Sequence, residues 1–207
     1  DLPGIYSIYP KSIDEELVIN ILADPSHPDF PDMAIVVADA SNLKRNLLLF
    51  SQVRDLGIPT VLALNMIDVA ENEGYVINSI KLARELNVEV AEVNAKRGIG
   101  LNGLKLAVVK TLENRFASND ALPLPISEEL IQDVQSQFGE AEPYRSMLWL
   151  MEHDRMKMFS QVQRETFDDI QNKHQFSSKK YQSEETVKRY EQITEVVDRC
   201  VINLNRK

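Results

Sequence analysis

The sequence predicts an α/β fold, a parallel sheet with flanking helices, followed by an all-α helical bundle. Three observations carry this. Through residue 117, short apolar runs alternate with helical stretches across short loops, the signature of parallel strands with right-handed crossovers. Two consecutive apolar runs end in polar turns about thirty residues apart, at Asn65-Met-Ile-Asp68 and at Asn94-Ala-Lys96. Composition then shifts at Ser118-Asn-Asp-Ala-Leu-Pro-Leu-Pro125, and beyond it only helical patterns are expected, with no strand signal. The implied division is a first domain over 1–117, a linker over 118–126 and a helical domain over 127–207.

Taken in order, Asp1-Leu-Pro-Gly4 opens the chain as a turn. Ser12 followed by Asp14, Glu15 and Glu16 is an N-cap signature for a helix running to about Ala23. His27 sits between prolines in a loop. Met33 to Ala38 reads as a buried strand ending at Asp39, after which Ser41 or Asn42 caps a helix that stops near Gly57. Ile58 to Leu64 is the next strand, and Glu71 to Gly74 a loop. Asn78 to Leu86 is a helix with Ile80, Leu82, Ala83 and Leu86 inward. Val88 to Val93 is a third strand, and Leu101 to Asn114 a helix. In the second part, Ser127 opens a helix ending at Gly139, and Pro143 starts another. A polar helix over Asp154–His174 carries Met156, Phe159, Val162, Phe167 and Ile170. The last helix, Glu184–Asn203, faces inward through Val187, Tyr190, Ile193, Val197 and Cys200.

The bulk composition excludes several classes. The 207 residues, 43% apolar and 27% charged, are enough for a sizeable core. A net charge of −9 argues against nucleic acid or an anionic membrane as partner. Residues 127–207 hold 12 Lys and Arg against 15 Asp and Glu, so the helical part has no basic bias either. Cys200 is the single cysteine, which rules out an internal disulfide and fits a reducing compartment. No apolar run reaches the roughly 18–20 residues of a membrane span, and no signal peptide is expected. The chain opens on Asp rather than Met, so it is expected to be a piece of something longer.

The chemistry gathers at the two polar turns. Ligands of open parallel sheets sit beyond the carboxyl ends of the strands. A carboxylate at Asp68 can accept from the N1–H and the exocyclic amine of a guanine, a donor pair that adenine lacks. In the second turn the Ala95 amide could donate to the guanine O6, with the Lys96 stem along the base plane. The bland reading of Asn65 and Asp68 is a pair capping the next helix. Asp1 and Gly4 form an Asp-x-x-Gly motif of the kind that serves Mg²⁺ through water and the γ-phosphate in nucleotide hydrolases. From spacing alone, a Pro-Gly surface turn is the commoner explanation. His153 and His174 have no partner at metal-ligand spacing.

Asp1-Leu-Pro-Gly-Ile-Tyr-Ser7, Asp39-Ala-Ser-Asn-Leu-Lys-Arg-Asn-Leu47, Gly57-Ile-Pro-Thr-Val-Leu-Ala-Leu-Asn-Met-Ile-Asp68 and Lys188-Arg-Tyr-Glu-Gln-Ile-Thr-Glu-Val-Val197 resemble, in order, segments of the ferrous iron transport protein B (FeoB) family. The resemblance implies a partial P-loop-type GTPase domain, missing its first strands, followed by a switch-linked helical domain that favours GDP retention. It implies GTP/GDP and Mg²⁺ as cofactors, with Fe²⁺ as the transported ion, not bound here. It places the region on the cytoplasmic face of the bacterial inner membrane, joined to the pore portion of the same protein. The residues it assigns to guanine are Asn65, Met66, Asp68, Asn94, Ala95 and Lys96; Asp1 and Gly4 serve Mg²⁺ and γ-phosphate in the intact protein, and are expected to be disordered or displaced here. Met66 stands where small GTPases have Lys, Asn94 where Ser is commoner, and Ile5 where Gln orients water, which implies slow hydrolysis.

The phosphate-binding loop and switch I are not in this sequence and are expected to precede Asp1. Without the strand that delivers that loop, the Met33–Ala38 strand is expected to keep a bare edge, open to self-association. The fragment is therefore expected to bind nucleotide weakly and to be inactive, its parent being the GTPase. Two alternatives remain: a non-hydrolysing coupling module, and a soluble ribosome- or tRNA-associated GTPase.

Overall fold

The computed structural model describes residues 1–113 and 127–205, so the expected 118–126 linker lies outside the described residues. β1 (Ala34–Asp39), β2 (Thr60–Asn65) and β4 (Val90–Val93) form a parallel sheet in the order β1-β2-β4. The register pairs Asp39 with Asn65 and Asn65 with Val93, which aligns the carboxyl ends of all three strands. β2 lies in the middle because its run is apolar on both faces, and Val61 to Leu64 are all within 1% of full burial. β1 is an edge strand among the described residues, as expected, but it is not buried throughout: Ile35 and Val37 are exposed on the face left uncovered.

α1 (Ile13–Leu22) begins where expected: the Ser12 hydroxyl accepts from the Glu15 amide, and three acids fill the first turn. The chain after β1 departs from expectation. The Asp39 carboxylate accepts from both the amide and the hydroxyl of Ser41, at 2.9 Å each, and caps a 3-10 turn over Ala40–Asn42. Asn42 then precedes α2 (Leu43–Asp55) without a side-chain cap bond, so neither Ser41 nor Asn42 caps that helix. Glu71 and Asn72 belong to α3 (Ile67–Asn72), not to a loop. α4 (Ser79–Leu86) forms where expected, with Asn78 outside it as its cap, but Ile80 points outward at 69% exposure. It lies two residues from buried Leu82, roughly 200° around the helix. α5 (Leu101–Glu113) closes the first part.

In the second part, α6 (Glu128–Phe138) and α7 (Pro143–Glu152) start at Ser127 and Pro143 as expected. The polar helix is shorter than expected. His153–Arg155 is a 3-10 turn, and α8 (Gln161–Lys173) starts from a Ser160–Gln163 capping box, leaving Val162 outside. α9 (Ser178–Cys200) starts six residues earlier than expected, at a Ser177 cap, and Val187 is exposed. It stops at Cys200, where the β-branched Val201 turns extended. β5 (Val201–Asn203) pairs antiparallel with β3 (Tyr75–Ile77), so the second part does contain a strand.

The helices after residue 127 share one hydrophobic core with α1 and α2. Trp149 Nε1 donates to the Ala23 carbonyl at 2.8 Å, and Arg145 donates to the Leu56 carbonyl. At the centre lies a charged cluster: Arg189 of α9 meets Asp55 of α2 at 2.7 Å and Glu185 one turn away, all within 2% of full burial. The Arg189 guanidinium also sits 4.6 Å over the Tyr144 ring. Burial opposes the charge on Arg189, but Tyr144, Glu185 and Asp55 around it outweigh that and raise its pKa.

Removing one partner of a buried pair strands the other charge. Arg189→Met is expected to lower the unfolding free energy by about 3–5 kcal/mol, read from urea denaturation; a loss under about 1 kcal/mol would mean the cluster is not dry.

Candidate functional site

The aligned strand ends bring two polar turns side by side. The first leaves β2 at Asn65. Met66 then takes a left-handed conformation, φ 62° and ψ 34°, which turns the chain from strand into α3 and puts its side chain outward. For a residue with a Cβ this costs about 1–2 kcal/mol, a strain that surrounding contacts must hold. Asp68 falls in the first turn of α3, where the helix dipole favours its charge.

The second turn leaves β4 at Asn94. It is a 3-10 turn over Ala95–Arg97 closed by Gly98 at φ 67°, a conformation glycine adopts without a steric penalty. The Asn94 side chain works in two directions. Its Oδ1 accepts from the Arg97 amide at 3.1 Å, and its Nδ2 donates to Asp68 Oδ2 at 3.0 Å. The first bond fixes which way the amide faces, and so makes the second a donor to the carboxylate. A second stitch runs the other way: the Ala95 amide donates to Asn65 Oδ1 at 3.1 Å. The two turns are thus fastened by two hydrogen bonds between four of the residues read from the sequence.

Asp68 keeps its other oxygen free. Its side chain is 43% exposed, and Oδ1 has no hydrogen bond among the described residues. Arg97 adds a guanidinium nitrogen 4.0 Å from Oδ2, with its side chain 67% exposed. Lys96 and Met66 are exposed beside the turns. Arg97 is the residue the sequence reading missed. Its signal was the Asn-x-x-Arg spacing, which puts its amide where a capping Asn94 accepts.

Asp1 and Gly4 are exposed and stand elsewhere. No hydrogen bond or ion pair joins them to Asn65, Asp68 or Asn94. They line a groove of about 610 Å³ along β1, with Val18 and Leu22 of α1 and Leu49 and Val53 of α2. Ile5 packs on the core and Tyr6 lies under the Arg45 guanidinium, and further on buried Gln52 accepts from the Ser7 hydroxyl and the Ile8 amide. His153 and His174 face Asp168 and Asp133, respectively.

The arrangement fits one part of a guanine nucleotide. An exposed carboxylate held in a fixed pose, with a free oxygen and a backbone amide nearby, matches the paired donors and the O6 acceptor of the base. For the Ala95 amide to reach O6 it must leave Asn65 or share the bond. Nothing in the 207 residues supplies a glycine-rich loop for the phosphates. Among the described residues no group of three or more His, Cys, Asp or Glu is placed to hold a metal ion.

The chain is similar to several known proteins. The sequence profile of ferrous iron transport protein B matches residues 1–108. The Fe(2+) transporter FeoB of Escherichia coli K12 is 35% identical over 146 residues, which cover 69% of this chain and 17% of that protein. The transporter of Salmonella typhimurium LT2 is 34% identical over 161 residues, 72% of this chain and 19% of that one. The chain thus matches under a fifth of the length of these relatives. Among solved structures, the cytosolic domain of L. pneumophila FeoB superposes with a TM-score of 0.74 at 27% identity, covering 98% of this chain and 79% of that one. A GDP-bound point mutant of the S. thermophilus FeoB G-domain gives 0.69 at 28% identity, covering 98% and 80%.

Asn94→Ala removes the bond to Asp68 and the cap of the second turn together. Hydrogen exchange at the Arg97 amide is expected to speed up by up to about fivefold, the weight of one hydrogen bond near 1 kcal/mol, since that amide keeps its second acceptor, the Asn94 carbonyl at 3.1 Å. An unchanged rate would show that Asn94 does not hold the turn.

Proposed function

The chain belongs to the ferrous iron transport protein B family, and on that footing we propose that it is the guanine-recognising and helical part of a GTP-driven or GTP-gated Fe²⁺ transporter. Residues 1–117 are the GTP-binding domain without its phosphate loop, 118–126 the linker, and 127–207 the switch-linked helical domain that leads to the membrane pore. The observation that carries this is the pair of stitched turns, Asn65 to Ala95 and Asp68 to Asn94, at the ends of neighbouring strands. The GDP in the S. thermophilus structure supports a guanine ligand.

Asp68 selects guanine through its paired donors, with Asn65, Asn94 and the Ala95 amide around the base and Met66 and Lys96 beside it. In the intact protein, Asp1 and Gly4 serve Mg²⁺ and the γ-phosphate. Hydrolysis there is slow, because Ile5 cannot orient a water as Gln does. Fe²⁺ is cargo of the whole transporter. The region lies on the cytoplasmic face of the bacterial inner membrane; among the described residues no helix is long and apolar enough to cross one. The bare edge of β1, with Ile35 and Val37 exposed, lets two copies pair strand to strand. Family membership replaces the reading as a ribosome- or tRNA-associated GTPase, and the acidic chain has no basic stripe for RNA.

Alone, the 207-residue chain has base contacts and few for phosphate, so it acts as a coupling module rather than an enzyme. Titration with fluorescent GDP is expected to give a Kd of about 0.1–1 mM, roughly 4–5.5 kcal/mol of binding, with no release of phosphate from GTP. Micromolar affinity or measurable turnover would overturn the assignment of the fragment as inactive.

A further inference from the structure

Asp68 is carried by a helix that cannot hold itself. α3 is six residues long, less than two turns, and isolated helices of that length do not persist in water. Its pose therefore depends on the packing of Ile67 and buried Ala70 against the core and on what fastens its two ends. At the amino end the fastening is Asn94 on Asp68. At the carboxyl end it is the chain that leaves α9.

Three contacts make the second fastening. The Asn205 side chain donates through Nδ2 to the Glu73 carbonyl at 2.9 Å, which caps the carboxyl end of α3. The Leu204 amide donates to the Gly74 carbonyl at 2.8 Å. β5 then continues against β3 with Val76 opposite Ile202, and the ribbon closes where the Asn78 amide donates to the Cys200 carbonyl at 2.9 Å. Gly74, at φ 83°, makes the turn possible, and a Cβ there would collide with the Asn205 amide. The inner side of the ribbon (Tyr75, Ile77 and Val201) packs on the core, so the strap is docked rather than loose.

We propose that the segment Val201–Asn205 is a strap coupling the carboxyl-terminal end of α9 to the guanine turn: docking of the strap sets the pose of Asp68, and base occupancy tightens the strap. The inference rests on the guanine reading of Asp68. Coupling between two binding equilibria is reciprocal, so a force or contact that peels β5 from β3 weakens base binding by the same factor that base binding resists peeling. The helix α9 that ends in the strap is the one whose Arg189 is buried against Asp55 of α2. The strap therefore connects the helical part to the base site by a route separate from that cluster.

The test uses the 207-residue chain and GDP at millimolar concentration, with residue-resolved amide exchange and shift titration. GDP is expected to shift the Asn65 and Ala95 amides and to slow exchange at Ile202 and Leu204. Asn205→Ala is expected to weaken GDP binding by about fivefold, the factor one neutral hydrogen bond supplies, while leaving the preference for guanosine over xanthosine unchanged. Ile193→Val, which loosens α9 in its core away from the strap, is expected to leave GDP affinity as it was. The proposal is overturned if GDP shifts Asn65 and Ala95 but exchange at Ile202 and Leu204 stays the same, an outcome that spares the guanine reading. It is likewise overturned if Asn205→Ala and Ile193→Val weaken binding equally. Absence of any GDP response in the wild-type chain removes the guanine reading and the strap with it.

Discussion

The rest of the site depends on one constraint: a single carboxylate must be held still on a six-residue helix. Asp68 sits in the first turn of α3, and that helix is too short to be stable alone. Asn94 supplies the restraint from the neighbouring strand, and its own amide is oriented by the Arg97 backbone. The strained Met66 turn aims the helix from the end of β2. Each of these exists only because β2 and β4 are adjacent and in register at their carboxyl ends. The sheet therefore contributes to function by placing two turns within one hydrogen bond of each other.

The second organising feature is ionic and lies far from water. Asp55, Glu185 and Arg189 tie the α9 helix to the end of α2, immediately before the chain turns through Gly57 into β2. Buried ion pairs add little net stability compared with apolar packing, but they penalise a shifted docking heavily, because a displaced charge is left unpaired. Apolar contacts between α9 and α2 would tolerate sliding. This cluster makes the docking of the helical part discrete.

Much of the fold was legible because its signals are local. The apolar run of β2 and the caps at Ser12, Asn78 and Ser127 each announce an element within a few residues. What was not legible is non-local or inverted. β3 and β5 are three residues each, too short for a periodicity, and exist because they meet across 126 residues of chain. In α9 the buried face runs through Tyr181, Glu185, Arg189, Ile193, Val197 and Cys200 at helical spacing. Two of these six are charged, so a reading that put charges outside chose Val187 instead. The guanine residues were readable by type and order, whereas the bonds among them were not, since Asn94 reaching Asp68 depends on register rather than spacing.

The most direct test of guanine selection by Asp68 is a paired shift titration of the wild-type chain and Asp68→Asn with guanosine and xanthosine diphosphates. Asparagine presents a donor where the carboxylate accepted, which suits the xanthine C2 carbonyl instead of the guanine amine. The wild type should favour the guanosine nucleotide by about tenfold or more, an Asp-to-donor-pair difference of at least ~1.4 kcal/mol, and the variant should reverse that order. A variant that keeps the wild-type preference would contradict the account.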